Sequence, residues 1–351
     1  MNSLGVKVVV KFLILFAALL CSSKSEAFAE NVDEGWEAGA MAASPRLFLY
    51  TLLRDKPIGS SSIIESLFEG QGLINSQNKK VTKLAIKPNL AYDQNINGGL
   101  TSDTYSVGPF IFEVDEDSKS KSGALVGATS VGSLTYNFGT GRVLAINGTA
   151  TWQYSPEFRI SRSEISLRGC LRQYSGDWQF LDFCVGGYRN ERVLSVNTGE
   201  FINVTATKLF NVGKSSNQLG FTLVHEWKDR FDRTKLEIGL LTALPRVGAV
   251  SINVSFGQKI QGTQTEVLRL NSSLSRPFFG KTTSISIDYS RETGGAFFGT
   301  DRTDEVLKFG VVTRLYKSSK VTLGWEKRKS TISDFDTSGL VFGVSFGEIE
   351  F

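Results

Sequence analysis

The side chains that could carry catalysis are few, and the first is His225, the only histidine in 351 residues. A Ser-His-Asp hydrolase needs this imidazole to face a polar groove beside a serine. In a strand, however, His225 lies on the same face as Phe221 and Leu223, and Trp227 continues that face. The pattern therefore predicts an interfacial surface residue, and we expect no catalytic residue and no enzyme.

Cys170 and Cys184 are the next candidates, since Cys21 lies in the N-terminal apolar segment. A hairpin that turns at Ser175–Asp177 would bring the two thiols roughly opposite each other on the polar face. In an oxidising compartment they could form a disulfide, although the sequence also allows two free thiols. Two thiols and one distant imidazole do not make a zinc site, so we expect no metal.

Cofactor motifs are also absent from the sequence. The acidic runs at 115–117 and 301–304 lack the spacing of calcium loops. No glycine-rich phosphate loop opens a predicted helix. We therefore expect no cofactor, and the acidic runs are interpreted as solvated loops.

Charged residues instead recur on the polar side of alternating segments. A charge inside a membrane protein is costly unless it is paired or wetted, so these residues should line water or pair across an enclosed space. We expect them to face a lumen used for passage or filled by a plug. The predicted lumen-lining residues are Lys87, Glu164, Arg168, Arg172, Asp182, Glu237, Asp288 and Arg314, and the same face carries Glu226, Arg269, Lys308 and Glu326.

The elements that position these residues are strands, because apolar and polar residues alternate with a period of two from about residue 82 onwards. A soluble sandwich would alternate in the same way. The segments, however, run for about 10 to 15 residues, as tilted membrane strands do, against ~5–6 in soluble sheets. Aromatic residues at segment ends suggest interfacial girdles: Tyr92, Trp152, Tyr154, Tyr174, Trp178, Trp227, Tyr289 and Tyr316.

These features predict an all-β fold, a transmembrane antiparallel up-and-down barrel over residues 81–351. Short turns alternate with longer loops, and both ends should lie in the periplasm, so the strand number is even. Fourteen strands result if Tyr105–Glu113 belongs to an outer loop, and sixteen is the alternative. Longer outer loops are expected at 228–233, 292–304 and 330–337.

The N-terminal segment predicts export. Lys7 and Lys11 precede a short apolar run, and Ala27-Phe28-Ala29 fits a cleavage site, so residues 1–29 are interpreted as a secretory signal. Cys21 leaves a lipid anchor as the alternative. Loss of the segment removes three lysines and one glutamate (Lys7, Lys11, Lys24 and Glu26) and lowers the formal net charge from +4 to +2. No basic face accompanies this charge, so nucleic acid is not an expected partner.

Residues 30–80 are the one region with helical character. Ser44-Pro45 predicts an N-cap and a first helical residue, and Lys56-Pro57 an end. Ser60–Ser62 should start a second helix that stops at Gly70. This segment could be a periplasmic linker, a barrel plug or a partner-docking module.

The C-terminal run Gly339–Phe351 alternates as a strand and ends on Phe351. It resembles the signal of bacterial outer-membrane barrels that the barrel-assembly machinery reads, with Ile349 and Phe351 as its apolar positions. The alternation shifts between Phe346 and Ile349, which predicts a β-bulge near Gly347 and Glu348. The expected location is the outer membrane, with its lipids and the assembly machinery as partners.

A narrower resemblance lies in Pro88–Asn97 (PNLAYDQNIN). It is similar to the first barrel strand of Slam-type proteins, the surface lipoprotein assembly modifiers. A fourteen-stranded barrel preceded by helices agrees with that family, although Gln94 stands where the family favours serine. The resemblance implies a role in translocation or surface display of a lipoprotein or other secreted cargo. A porin-like channel for small solutes is the alternative.

Overall fold

The computed structural model describes residues 35–74, 80–107, 109–315, 319–347 and 349–350. The proposed signal peptide, Cys21, Tyr316 and Phe351 lie outside these ranges. No helix within them is long and apolar enough to cross a bilayer.

Three helices precede the strands: α1 (Gly35–Met41), α2 (Pro45–Asp55) and α3 (Ser61–Gly70). As predicted, Ser44 caps α2, because its side chain accepts a hydrogen bond from the Leu47 amide and Pro45 occupies the first turn. Lys56 ends α2 in the left-handed conformation. Gly70 is the last residue of α3. The two predicted helices are thus confirmed as α2 and α3, and α1 is an additional helix.

Seventeen strands follow within the described residues, and fourteen of them form the wall. Wall strands contain between nine residues in β16 and eighteen in β8. The strands are β1 (Lys80–Asp93), β2 (Thr104–Val107), β3 (Phe110–Glu113), β4 (Gly123–Gly139), β5 (Arg142–Ser155), β6 (Ile160–Gly176), β7 (Gln179–Arg192), β8 (Ser195–Val212), β9 (Ser215–Lys228), β10 (Phe231–Leu244), β11 (Gly248–Gly257), β12 (Thr265–Phe278), β13 (Lys281–Phe297), β14 (Thr300–Arg314), β15 (Lys320–Ser330), β16 (Thr337–Ser345) and β17 (Ile349–Glu350).

The sheet closes on itself. β1 pairs with β4 on one side and with β16 on the other, and every pairing is antiparallel. β17 continues β16 along β1, so the two count as one wall strand. β2 and β3 form a separate hairpin, which is why Tyr105–Glu113 stays out of the wall. The predicted fourteen-stranded barrel is confirmed, since β1 is paired on both sides and the sheet closes.

The bulge predicted near Gly347 and Glu348 includes a residue outside the described ranges, Glu348, but the pairing on either side of it is described. Ser345 pairs with Asn89, and Ile349 pairs with Ile86. Four steps along the last strand therefore oppose three steps along β1, which is the one-residue excess of a β-bulge. The excess restores Ile349 to the outer face.

The two faces of the wall differ in chemistry. Leucine, isoleucine, valine and phenylalanine side chains cover the outer face and are exposed there, as in Leu167, Leu223 and Phe309. The inner face carries the polar and charged positions of the same strands. An apolar outer surface around a polar interior is the architecture of an outer-membrane barrel.

Some boundaries differ from the expectation. The segment 292–304 is mostly strand, and only Phe298 and Gly299 form its turn. The segment 228–233 likewise reduces to a turn at Asp229 and Arg230. Charged residues in these segments favour a loop, but strands that extend past the lipid carry charges on both faces.

Candidate functional site: a charged bore with a helical plug

The strand register places the predicted lumen-lining residues on the inner face. Arg172 lies opposite Asp182, and Asp288 lies opposite Lys308. Following the same parity, all eight share the inner face: Lys87 on β1, Glu164, Arg168 and Arg172 on β6, Asp182 on β7, Glu237 on β10, Asp288 on β13, and Arg314 on β14.

Most inner carboxylates have a cationic partner. Arg269 contacts Asp288 at 2.7 Å. The Glu226 carboxylate forms ion pairs with Arg233 at 2.7 Å and with Lys235 at 2.6 Å. All three side chains are largely buried. Pairing with an opposite charge lowers the free-energy cost of a charge in a confined space. These groups can therefore line the bore without full hydration.

The outer end of the bore holds a second charged cluster. Asp304 is fully buried and contacts Arg302 and Arg328, each at 2.6 Å. Arg328 also reaches Glu292 at 2.8 Å. The sequence does not predict this cluster, because the acidic run at 301–304 is typical of a solvated loop. The strand extensions of β13 and β14 are what bring these side chains together.

The Asn-Ile-Asn sequence at 95–97 organises the loop between β1 and β4. The Asn95 side chain bonds the amide and the carbonyl of Gly99. Asn97 bonds the Lys119 carbonyl and the Lys121 amide, and Ile96 is buried. Both asparagines thus satisfy backbone groups in a long loop. The residues that carry the Slam-type resemblance therefore have a structural role here.

α1 and α2 lie inside the barrel, at the end with the short turns, whereas α3 has no buried residue. Ala38 of α1 and Leu47 of α2 are fully buried against Phe180, Leu209 and Ala243. Those three wall residues face inward by register. The short turns and both ends of the wall lie on the periplasmic side of such barrels. Among the three possibilities left open by the sequence, the position of α1 and α2 favours a plug, and α1–α3 are called the plug below.

Tyr174 and Trp178 belong to this contact and not to a lipid-facing girdle. Trp178 packs edge-on to Tyr50 of α2, with ring centroids 5.0 Å apart. Tyr174 packs on Phe180. Their position at a strand end was consistent with either role, and the presence of the plug decides between them.

Polar contacts anchor the plug to the wall. The Arg46 guanidinium donates to both oxygens of Asp182 at 2.8 Å, and the two side chains are only 10% and 14% exposed. Arg46 also lies over the Phe180 ring, 4.1 Å from its centroid. Ser44 donates to the Gln218 side chain at 2.5 Å. A bidentate, nearly buried arginine–carboxylate pair is a strong and directional anchor.

Further anchors reach other parts of the wall. Arg54 of α2 donates to the Lys214 carbonyl and the Ser216 hydroxyl, each at 2.8 Å. Asn137 of β4 donates to the Glu69 carbonyl at 2.8 Å. The plug is therefore attached from β4 to β9, across the bore.

Cys170 and Cys184 are directly paired across β6 and β7 and form a disulfide. Both side chains are buried on the bore side. Arg168 donates to the Cys184 sulfur at 3.1 Å. The disulfide thus joins the two strands that carry Arg172 and Asp182 and lies beside the main plug anchor.

Polar cavities remain in the bore, among them an outer and an inner one. The outer cavity has a volume of about 890 Å³ and includes Asp93, Arg162, Arg328 and Glu326 in its lining. The inner cavity has a volume of about 480 Å³ and lies between the wall and the first residues of α2. Arg172, Asp182 and Glu237 line it together with threonine and serine hydroxyls.

His225 lies on the outer face, where its ring contacts Trp227 and its Nδ1 is 3.1 Å from the Thr234 hydroxyl. No group of three or more potential metal-ligating side chains occurs in the described ranges.

Comparisons with known proteins add the following. No protein-family model matches the sequence, so the Slam-type resemblance has no support from that comparison. No curated protein matches either. Among solved structures, Pseudomonas aeruginosa OccK2 (OpdF) in complex with glucuronate is similar over 77% of this chain and 98% of that chain, with 7% identity and a TM-score of 0.42.

Two further solved structures are similar over comparable parts of the chain. The outer-membrane protein OprD from Pseudomonas aeruginosa matches over 80% of this chain and 97% of its own, with 5% identity and a TM-score of 0.39. A BenF-like porin from Pseudomonas fluorescens Pf-5 matches over 78% and 100%, with 6% identity and a TM-score of 0.39. At such values, nothing about function transfers from them to this chain.

Proposed function

We propose that this outer-membrane barrel is a porin-like channel for small polar solutes, whose periplasmic end is closed by the plug. The observation that carries the proposal is the inner face, where charged and hydroxylated side chains surround cavities of about 890 and 480 Å³. Polar groups of this kind replace part of the hydration of a solute, as pore-lining side chains do.

The plug should limit passage, because α1 and α2 occupy part of the bore and contacts tie the helical segment to β4 and β9. Passage therefore needs the plug to shift. Apart from a backbone hydrogen bond from the Gly141 amide to the Gly72 carbonyl just after α3, the anchors are side-chain contacts and not shared strands, so the plug can move without breaking the wall. Lumen charges that pair with each other within the wall, such as Arg269 and Asp288, should stay in place when the plug moves.

The test is conductance of the full-length protein in planar bilayers. Replacing both anchoring arginines, Arg46→Gln with Arg54→Gln, should loosen the plug and raise the mean conductance at least several-fold above that of the unmodified protein. Arg142→Gln is the matched control, because Arg142 contacts Gln173 on the outer face and not the plug. Heat-modifiable migration on a gel verifies that each variant is folded.

If neither the unmodified protein nor the double variant conducts, although both are folded in the membrane, the channel proposal is wrong. Loss of a surface-displayed lipoprotein on deletion of the chain, with no conductance in either protein, would instead favour the assembly role that the sequence resemblance implies.

A further inference from the structure

The wall beside the plug has more cations than anions. Arg46 of the plug and Arg168 and Arg172 of β6 converge on the inner face around one carboxylate, Asp182. Both oxygens of that carboxylate accept from Arg46 at 2.8 Å. Glu237 also lines the cavity beside them, so three guanidinium groups face two carboxylates and one positive charge is left over.

The two remaining arginines lack a carboxylate of their own. Arg168 donates to the Cys184 sulfur, which is neutral in the disulfide. Arg172 lies directly across from Asp182, and within the described part of the chain no carboxylate is hydrogen-bonded to it. Other bore arginines have such a partner, as Arg269 has Asp288. Excess charge in a confined space is costly unless water or a counter-ion compensates it.

A cavity is available for such a counter-ion. The inner cavity of about 480 Å³ is lined by Arg46, Arg172 and Asp182 on one side. Ser44 and Pro45, at the N-terminus of α2, close its periplasmic end. At about 30 Å³ for each water, the volume equals roughly 16 water molecules, enough for a small hydrated solute.

We propose that this cavity binds a small oxyanion, a carboxylate or a phosphate, through Arg172, and that the bound anion releases the plug. The mechanism is competition. An oxyanion held by Arg172 lies next to Arg46 and accepts hydrogen bonds from its guanidinium, and each bond so formed is lost to Asp182. Arginine favours such two-oxygen acceptors, so the exchange keeps the guanidinium satisfied. This inference rests on the proposed channel function and assigns its regulation to one cluster.

The coupling must be reciprocal. If the anion weakens docking of the plug by a given factor, docking of the plug must weaken anion binding by the same factor. A mutation that weakens docking should therefore strengthen anion binding. Asp182→Asn is the suitable change, because the amide keeps the shape of the carboxylate but removes its charge. It should release the plug without anion and raise the affinity of the cavity for anion.

The experiment compares conductance in chloride and in solutions of equal conductivity that contain inorganic phosphate or succinate. For the unmodified protein, phosphate or succinate should raise the open fraction at least several-fold. Arg172→Gln should abolish this response, and Asp182→Asn should be open in chloride already. Arg269→Gln is the matched control, since it removes one bore arginine away from the plug, and it should keep the response. The two anions distinguish phosphate from carboxylate as the preferred ligand.

Trp178 provides a second readout that does not depend on conduction. Its indole packs against Tyr50 of the plug, so release of the plug should change its emission. The difference between the protein and its Trp178→Phe variant isolates that signal from the other four tryptophans of the five in the chain. Phosphate should change it in the unmodified protein and not in Arg172→Gln.

The outcomes separate the two proposals. If Arg46→Gln with Arg54→Gln conducts, but neither anion alters conductance or Trp178 emission in the unmodified protein, the anion switch is wrong and the channel stands. A response that persists in Arg172→Gln also overturns the switch. If no variant conducts, the channel proposal fails first.

Discussion

At the scale of residues, contacts with neighbours determine the role of each polar or aromatic side chain more than its type does. Asn95 and Asn97 build a loop, and Trp178 packs on the plug although it occupies a strand end. Tyr105 is a third case. It is buried beside Phe297 and Phe335, with ring centroids 5.2 and 5.3 Å away, and so fixes the β2–β3 hairpin to neighbouring outer loops.

Burial raises the pKa of Tyr105 above its ordinary value of about 10. A raised pKa means that the folded loop favours the neutral phenol. The stabilisation is therefore fully present below the ordinary value and is lost as the pH rises through the raised one. An ultraviolet titration of the protein minus that of Tyr105→Phe should give a midpoint above 10. A midpoint at or below 10 would show that the ring is not packed as described.

At the scale of elements, strand pairing depends on close approach at particular glycines. Gly127 lies on the inner face of β4, and a methyl group added there would meet the Trp152 carbonyl oxygen at 2.1 Å. Gly132, in the same strand, faces outward, and its nearest neighbour would be a Leu84 methyl group at 4.0 Å. Both positions are glycine, but only Gly127 lacks the space for a larger side chain.

We expect Gly127→Ala to destabilise the barrel by about 1–3 kcal/mol, because backbone must shift to admit the methyl group. Gly132→Ala is the matched control and should leave stability within about 0.5 kcal/mol. Urea unfolding in detergent micelles, followed by tryptophan fluorescence, measures both. Equal midpoints for the two variants would contradict the described β4–β5 packing.

At the scale of the whole molecule, lipid outside and water inside impose opposite rules on neighbouring residues. Leu223 and Thr222 are adjacent in β9, but Leu223 is exposed on the outer face and Thr222 faces the inner cavity. Polar substitutions should therefore be tolerated on the inner face and not on the lipid-facing outer face.

Leu223→Arg should cost about 2–4 kcal/mol in a lipid bilayer, since it places a charge among acyl chains. Thr222→Arg should cost less than half as much, because the cavity supplies space and polar neighbours. Folding into vesicles over a urea series gives both values. If the order is reversed, the assignment of faces is wrong.

The sequence by itself determined the alternation of apolar and polar residues, and with it the fold class, an even strand number of fourteen or sixteen and the inward position of charged residues such as Arg172 and Glu237. Local rules suffice for this, because side chains of a strand point to alternate faces and a closed wall requires a long, regular pattern. The caps of α2 followed from equally local rules.

Only the tertiary structure decided where the plug lies, which charges pair and which residues form the outer cluster. These depend on groups far apart in sequence, such as Arg46 and Asp182, which are 136 residues apart. Nothing in the alternation within one strand records its partner across the bore. The excess of arginines beside Asp182 is therefore visible only once the barrel is closed around its helices.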